Sequence, residues 1–268
     1  SYMFEYAIVA GLTATGADAY MLHVTTTPSV AYVTRVDSFD CGVMISASHN
    51  PFYDNGIKLI NGRGEKMDDQ TIADIEAYLD GNLAALGLEG DVPAARREEL
   101  GEIVDYVSGR NRYVGYLISL AAHSYKNMRV GLDCANGSSS ATAESLFTRL
   151  GAEVHMLSAS PDGTNINKNC GSTHMENLME YVKTHECDLG LAFDGDADRC
   201  LAVDENGKVT ALSAGTTVVT AKAGGVSAAC TVTVAHKKTG GSGHGCAAGL
   251  GALPMLALIP LWLRRKKR

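Results

Sequence analysis

Hydrophobic and polar positions in the first 208 residues alternate between two rhythms. Short apolar runs bounded by turn formers, at residues 19–24, 42–45, 56–60, 128–133, 152–157 and 189–193, read as buried strands. Between them lie segments with helical spacing. These are 6–12, 28–35 with a proline near its start, 69–79 with an acidic first turn, 110–120, 141–150 ended by Gly151, and 176–185. Strands alternating with helices of this length predict parallel α/β layering. The series runs twice, so the expectation is two consecutive three-layer α/β domains, 1–105 and 106–208.

After residue 208 the pattern changes. Residues 209–235 are rich in Thr, Val and Ala, carry Lys222 as their single charge, and alternate with period two. That predicts a short antiparallel β segment with turns at Ala214-Gly215 and Gly224-Gly225. Its partner strands are missing from the sequence, so it is expected not to pack into the α/β body. Residues 236–245 form a Gly/Ser linker, expected to lack fixed structure. Residues 246–263 carry no charge and are followed at once by five basic residues, Arg264 to Arg268. An apolar run of that length with a basic flank suggests a membrane or sorting segment, and hence membrane contact through 246–268. A buried core helix is the plainer account, but glycines and prolines within the run count against it.

Composition narrows the function classes. The 268 residues are 46% hydrophobic and 20% charged, an ordinary globular balance. Net charge is −7, and without the basic end the body carries −12, from 18 cations and 30 anions. Such a body is a poor match for nucleic acid. Seven scattered cysteines without a C-x-x-C pair are neither a disulfide framework nor a zinc spacing, and they suit a reducing cytosol. The sequence starts at Ser1 with no basic, apolar leader, so the first domain is expected to be truncated at its N-terminus.

Two segments carry chemistry. Ser46-Ala47-Ser48-His49-Asn50-Pro51, followed by Asn55-Gly56-Ile57-Lys58, comes directly after an apolar strand, where α/β folds place reactive loops. A tight loop there exposes the Ser48 hydroxyl for attack or phosphorylation, with His49 and Lys58 supplying charge or proton transfer. An ordinary polar turn would also explain that composition. The second segment, Asp194-Gly195-Asp196-Ala197-Asp198-Arg199, also follows an apolar strand. Three carboxylates at alternate positions can converge on one hard divalent cation, Mg²⁺ or Ca²⁺. An EF-hand is disfavoured: Arg199 stands where that loop needs glycine, and the flanks are strand-like. A solvated acidic turn is the remaining alternative.

Taken together, these segments resemble the α-D-phosphohexomutases over residues 1–208. Asn165-Ile166-Asn167 with Cys170-Gly171-Ser172-Thr173-His174 is similar to the branch of that family acting on glucosamine phosphates. The resemblance implies that Ser48 is the phosphorylated serine and that Asp194, Asp196 and Asp198 bind Mg²⁺ together with the Ser48 phosphate. It implies Lys58 for proton transfer, with His49 and Arg199 holding the phosphoryl group. The implied partners are glucosamine 6-phosphate and a hexose bisphosphate activator, in a cytoplasmic setting at odds with a sorting tail. The resemblance stops near residue 208, which points to a fragment or a chimera joined around 203–209 and without mutase turnover of its own. The end of the chain resembles the last strands of a bacterial immunoglobulin-like repeat and a C-terminal sorting signal, so a surface-anchored protein is the alternative.

Overall fold

The computed structural model describes residues 1–210, 215–223 and 226–234. In the first unit, helix α1 (Tyr2–Ala14) leads into a short strand β1 (Ala19–Met21). Helix α2 (Thr27–Val36) then starts for local reasons. Thr26 is extended and its side chain accepts the Ser29 N–H at 3.3 Å, while Pro28 presets the first turn. Val30 on its inner face packs on Met44 and Ile60. Those two belong to the antiparallel hairpin β2 (Cys41–Ser46) and β3 (Gly56–Asn61), which closes at the Ser46–Gly56 pair and leaves residues 47–55 as its loop. Helix α3 (Asp69–Leu79) has the bounds its periodicity predicts, because Asp68 accepts the Thr71 N–H at 2.9 Å and fixes the start. Strand β4 (Ile103–Asp105) returns to lie parallel to β1.

The second unit contains α4 (Val107–Ser119), β5 (Arg129–Asp133), α5 (Ala143–Arg149), β6 (Glu153–Leu157), α6 (Glu176–Thr184), β7 (Leu189–Phe193), β8 (Cys200–Asp204) and β9 (Val209–Thr210). The strands form a five-stranded sheet in the order β6-β5-β7-β8-β9. Val130, Leu132 and Leu191 pack on one face with Leu146 and Phe147 of α5, while Ala192 and Val203 pack on the other with Leu178 and Val182 of α6. This is the expected three-layer arrangement. Each large side chain sealed in this way contributes about 1.5–3 kcal/mol.

The two units meet along α2 and α4. Tyr32 stacks on Tyr116 with ring centroids 4.5 Å apart. Asp37, at the end of α2, accepts the Tyr106 hydroxyl at 3.0 Å and pairs with Arg112.

The expected parallel layering is present in both units, and antiparallel pairs are added to it. The pairs β2–β3, β7–β8 and β8–β9 are antiparallel, whereas β5, β6 and β7 are parallel. The cause is connection length: a parallel crossover needs about a dozen residues, and the short loops 47–55 and 194–199 allow only a hairpin return. The sheet also runs past residue 208, since Val209 pairs with Val203 and Thr210 with Ala202. Beyond it, β10 (Gly215–Ala223) and β11 (Val226–Val234) form an antiparallel pair, and the expected turn residues Gly224-Gly225 lie outside the described residues. Gly215, expected in a turn, begins β10. Among the described residues this pair shares no strand with the five-stranded sheet. The linker and the apolar run with its basic end lie outside the described residues. Among those described, no helix is long and apolar enough to cross a membrane.

Candidate active site

The acidic loop connects β7 to β8. Its curl is set by two bonds to Asp194: the Ala197 N–H donates to the carbonyl at 3.0 Å, and the Arg199 N–H donates to Oδ1 at 3.1 Å. The turn brings one oxygen of each of Asp194, Asp196 and Asp198 within 4.8 Å of one another. Asp194 is 1% exposed and Asp196 0%, so these charges are withdrawn from water. Asp194 Oδ2, Asp196 Oδ1 and Asp198 Oδ1 are buried with no hydrogen-bond partner among the described residues. Orphaned carboxylate oxygens are costly unless something positive satisfies them. Three hard oxygens facing a common point fit a divalent cation.

The carboxylates are not equivalent. Burial, then the neighbouring charges of Asp198 and Asp196, push Asp194 up to about 7. Burial works the same way on Asp196, yet hydrogen bonds from Lys58, Thr27 and Ser48 and the Lys58 charge hold it below the usual carboxylate range.

Those opposing groups come from the first unit. Lys58, on β3, donates to Asp196 Oδ2 at 2.5 Å and to Asp198 Oδ2 at 2.9 Å. Burial disfavours its charge, but the two hydrogen-bonded carboxylates outweigh this and raise its pKa, so Lys58 is an ammonium. Thr27, the first residue of α2, donates its hydroxyl to Asp196 Oδ2 and its N–H to the Asp196 carbonyl at 3.0 Å.

Ser48 stands in the loop after β2. Its N–H donates to Ser46 Oγ at 2.9 Å, which bends the loop, and its φ is +53°. A non-glycine residue in that region is strained and needs outside support. The Ser48 carbonyl receives the Gly195 N–H at 3.0 Å, and the Gly195 carbonyl in turn receives the Ser138 N–H at 2.8 Å. Glycine is required by this approach, because a Cβ at 195 would stand 2.4 Å from the Ser48 carbonyl oxygen and one at 137 would stand 2.3 Å from that of Gly195. Asn167 adds to the same seam: its Nδ2 donates to the carbonyls of Ser48 and Asn50, each at 2.8 Å. Buried Asp133 ties down the neighbouring backbone by accepting the Ala135 N–H at 3.0 Å and the Gly171 N–H at 2.9 Å.

Of the residues singled out from sequence, Ser48, Lys58, Asp194, Asp196 and Asp198 therefore converge. His49 is exposed, with Nδ1 3.5 Å from Ser48 Oγ, and Arg199 is exposed 3.9 Å from Asp198. Both lie at the rim, where they can meet an anion. Thr27, Gly137, Ser138 and Gly195 have no part assigned from sequence, and Asn167 enters there only through a resemblance. The Thr-Thr-Pro stretch signals a helix start, but nothing local names a partner on the far side of the chain. Chemically, the site offers a half-buried serine hydroxyl, an ammonium and a carboxylate cluster for a hard cation, which suits phosphoryl transfer.

The sequence and the fold have counterparts among known proteins. Residues 1–85 match the family description "Phosphoglucomutase/phosphomannomutase, alpha/beta/alpha domain I", and residues 110–207 match that of domain II. The phosphoglucosamine mutase of Lachnospira eligens is 63% identical over 209 residues, which is 78% of this chain and 45% of that protein. The one from Lachnoclostridium phytofermentans is 56% identical over 209 residues with the same coverage. A solved phosphoglucomutase/phosphomannomutase family protein from Burkholderia thailandensis superposes with a TM-score of 0.62 at 25% identity, over 76% of this chain and 44% of that one. The chain thus spans about 45% of the length of the curated relatives it matches.

Proposed function

The chain belongs to the phosphoglucomutase/phosphomannomutase family through its first two domains, and on that premise we propose that it supplies the phosphoserine and cation half of a phosphoglucosamine mutase. In this reading Ser48 carries a phosphoryl group and gives it to glucosamine 6-phosphate, forming a bisphosphate. The sugar turns over and returns the other phosphoryl group, leaving glucosamine 1-phosphate. A hexose bisphosphate would charge the serine at the outset.

The observation that carries this reading is that Lys58, from one domain, donates to the Asp196 and Asp198 carboxylates of the other, while the Ser48 carbonyl receives the N–H of Gly195 between Asp194 and Asp196. Asp194, Asp196 and Asp198 would hold Mg²⁺, which when bound neutralises charge on the transferring group. The chain's own residues do the rest. As the Ser48 Oγ–P bond breaks, the oxygen needs a proton, and the Lys58 ammonium is the donor at hand. The amine left on Lys58 then takes the proton of the sugar hydroxyl that has bonded to phosphorus, which restores the ammonium. His49 and Arg199, at the rim, would clasp phosphoryl oxygens. Thr27 keeps Asp196 ionised and fixed.

The test is mass analysis of the chain after incubation with glucose 1,6-bisphosphate and Mg²⁺. One phosphoryl group on Ser48 is expected, absent from Ser48→Ala, and removed faster by glucosamine 6-phosphate than by glucose 6-phosphate. Modification at another residue, or none, would overturn the proposal.

A further inference from the structure

We propose that Asn167 is a positioning residue for Ser48: its side-chain amide, reaching across from the second domain, holds the backbone of residues 47–50 in the conformation that turns the serine hydroxyl toward the aspartates. This rests on the reading of Ser48 as the phosphoryl carrier. An amide nitrogen has two hydrogens, and here each goes to a different carbonyl, those of Ser48 and Asn50, both at 2.8 Å. With the Gly195 N–H, the Ser48 carbonyl has a donor for each of its two lone pairs. The Asn50 carbonyl, just before Pro51, relies on Asn167.

The anchor behind the amide is firm. The Asn167 N–H donates to the Ala135 carbonyl at 2.9 Å, and Ala135 is in turn bound to the buried carboxylate of Asp133 at the end of β5. Asn167 is 9% exposed with φ +58°, a left-handed conformation that asparagine tolerates better than most residues. Ser48 itself is held at φ +53°, so without external donors its loop would relax out of that region. Neither an aspartate nor a hydroxyl reproduces a double donor at this spot. The second asparagine of Asn165-Ile166-Asn167 thereby acquires a physical role.

The experiment uses the full chain and the variants Asn167→Gly and Asn167→Asp. Glycine adopts the positive φ freely and removes only the amide, which protects the test against misfolding. Aspartate keeps the shape and sets an acceptor against two acceptors. Three quantities are measured: hydrogen exchange across residues 46–56 and 129–133, Mg²⁺ affinity by calorimetry, and the rate of Ser48 phosphorylation against glucose 1,6-bisphosphate concentration. Loss of two hydrogen bonds should speed loop exchange and slow the saturating phosphorylation rate by about tenfold or more in both variants. Exchange in β5, Mg²⁺ affinity and the half-saturating donor concentration should stay within about twofold, since nothing that contacts them has changed. Loop exchange at the wild-type rate in Asn167→Gly would overturn the proposal, and so would an equal rise in β5. If the wild-type chain takes no phosphoryl group, loop exchange still decides the role of Asn167, and the failure falls on the reading of Ser48.

Discussion

Thr27 and Asp196, 169 residues apart, meet twice: the Thr27 N–H donates to the Asp196 carbonyl at 3.0 Å, and its hydroxyl donates to the Asp196 carboxylate. The second contact fixes a carboxylate that is itself completely buried. Thr27→Val keeps the side-chain shape and the main-chain bond but removes the hydroxyl. Partners that orient a metal ligand are typically worth about 10–100-fold in affinity. Calorimetric titration should accordingly show Mg²⁺ binding to Thr27→Val at least about tenfold more weakly. Unchanged affinity would mean that the hydroxyl is incidental.

Lys58 bridges two of the three carboxylates, and Lys58→Met keeps its length while removing the charge. Without added metal, Asp196 and Asp198 then repel each other unscreened. Removing one partner of a fully buried pair costs about 3–5 kcal/mol, but Lys58 is 35% exposed, so a smaller loss of about 1–3 kcal/mol is expected. Saturating Mg²⁺ should recover more stability in the variant than in the wild type, because no ammonium competes for the same oxygens. Thermal melts with and without Mg²⁺ decide this, and a variant as stable as wild type in chelator would refute it.

Ser46 lies just before the loop that carries Ser48 and plays a different part. Its hydroxyl oxygen accepts the Ser48 N–H at 2.9 Å and shapes the bend. Losing one such bond is worth about 1 kcal/mol. Ser46→Ala should therefore slow Ser48 phosphorylation by less than about tenfold, whereas Ser48→Ala abolishes it. If Ser46→Ala abolishes phosphorylation while Ser48→Ala remains a substrate, the wrong hydroxyl has been chosen.

Tyr125 is 1% exposed, and its hydroxyl has no hydrogen-bond partner among the described residues. Tyr125→Phe retains the edge-on packing against Phe147 and removes the uncompensated group. Stability at neutral pH should be unchanged or higher by about 1 kcal/mol. At alkaline pH the two proteins diverge. Burial pushes the Tyr125 pKa from 10.0 up to about 12, so between these values the folded chain keeps a proton that the unfolded chain has lost. Stability therefore falls as pH rises through that window, by up to about 1.4 kcal/mol per pH unit for this residue. The variant lacks this slope. Urea titrations at pH 7 and near pH 11 measure it, and parallel losses in both proteins would count against the assignment.

The elements whose local signals agree are legible in the sequence. Helix α3 has an Asp cap and an acidic first turn, and its bounds match the periodicity. Strand β7 is a plain apolar run, and it too lies where expected. Strand β4 escapes such a reading because Ile103–Asp105 is three residues long and makes sense only as the partner of β1. Strand β8 is hidden for another reason: its apolar run, Cys200 to Val203, is short and follows the acidic loop directly, although Asn206-Gly207 marks the turn after it. The reactive groups are visible because their residue types and spacing carry chemistry. Their supports, Thr27 and Asn167 above all, are not, because each acts on a loop more than a hundred positions away. Local sequence contains no term for such distances.

The ladder from Ser138 through Gly195 to Ser48 is written almost entirely in peptide groups. Peptide groups are identical at every position, so this joint is indifferent to most changes in the amino-acid alphabet. Ser138 enters the ladder only through its N–H, so that residue can be exchanged for another while the reactive loop keeps its address. The freedom ends at Gly137 and Gly195, where the message is the absence of a side chain and any letter added is a misspelling. A lineage carrying this joint could therefore rewrite much of its surface and still hand down the same geometry to its descendants.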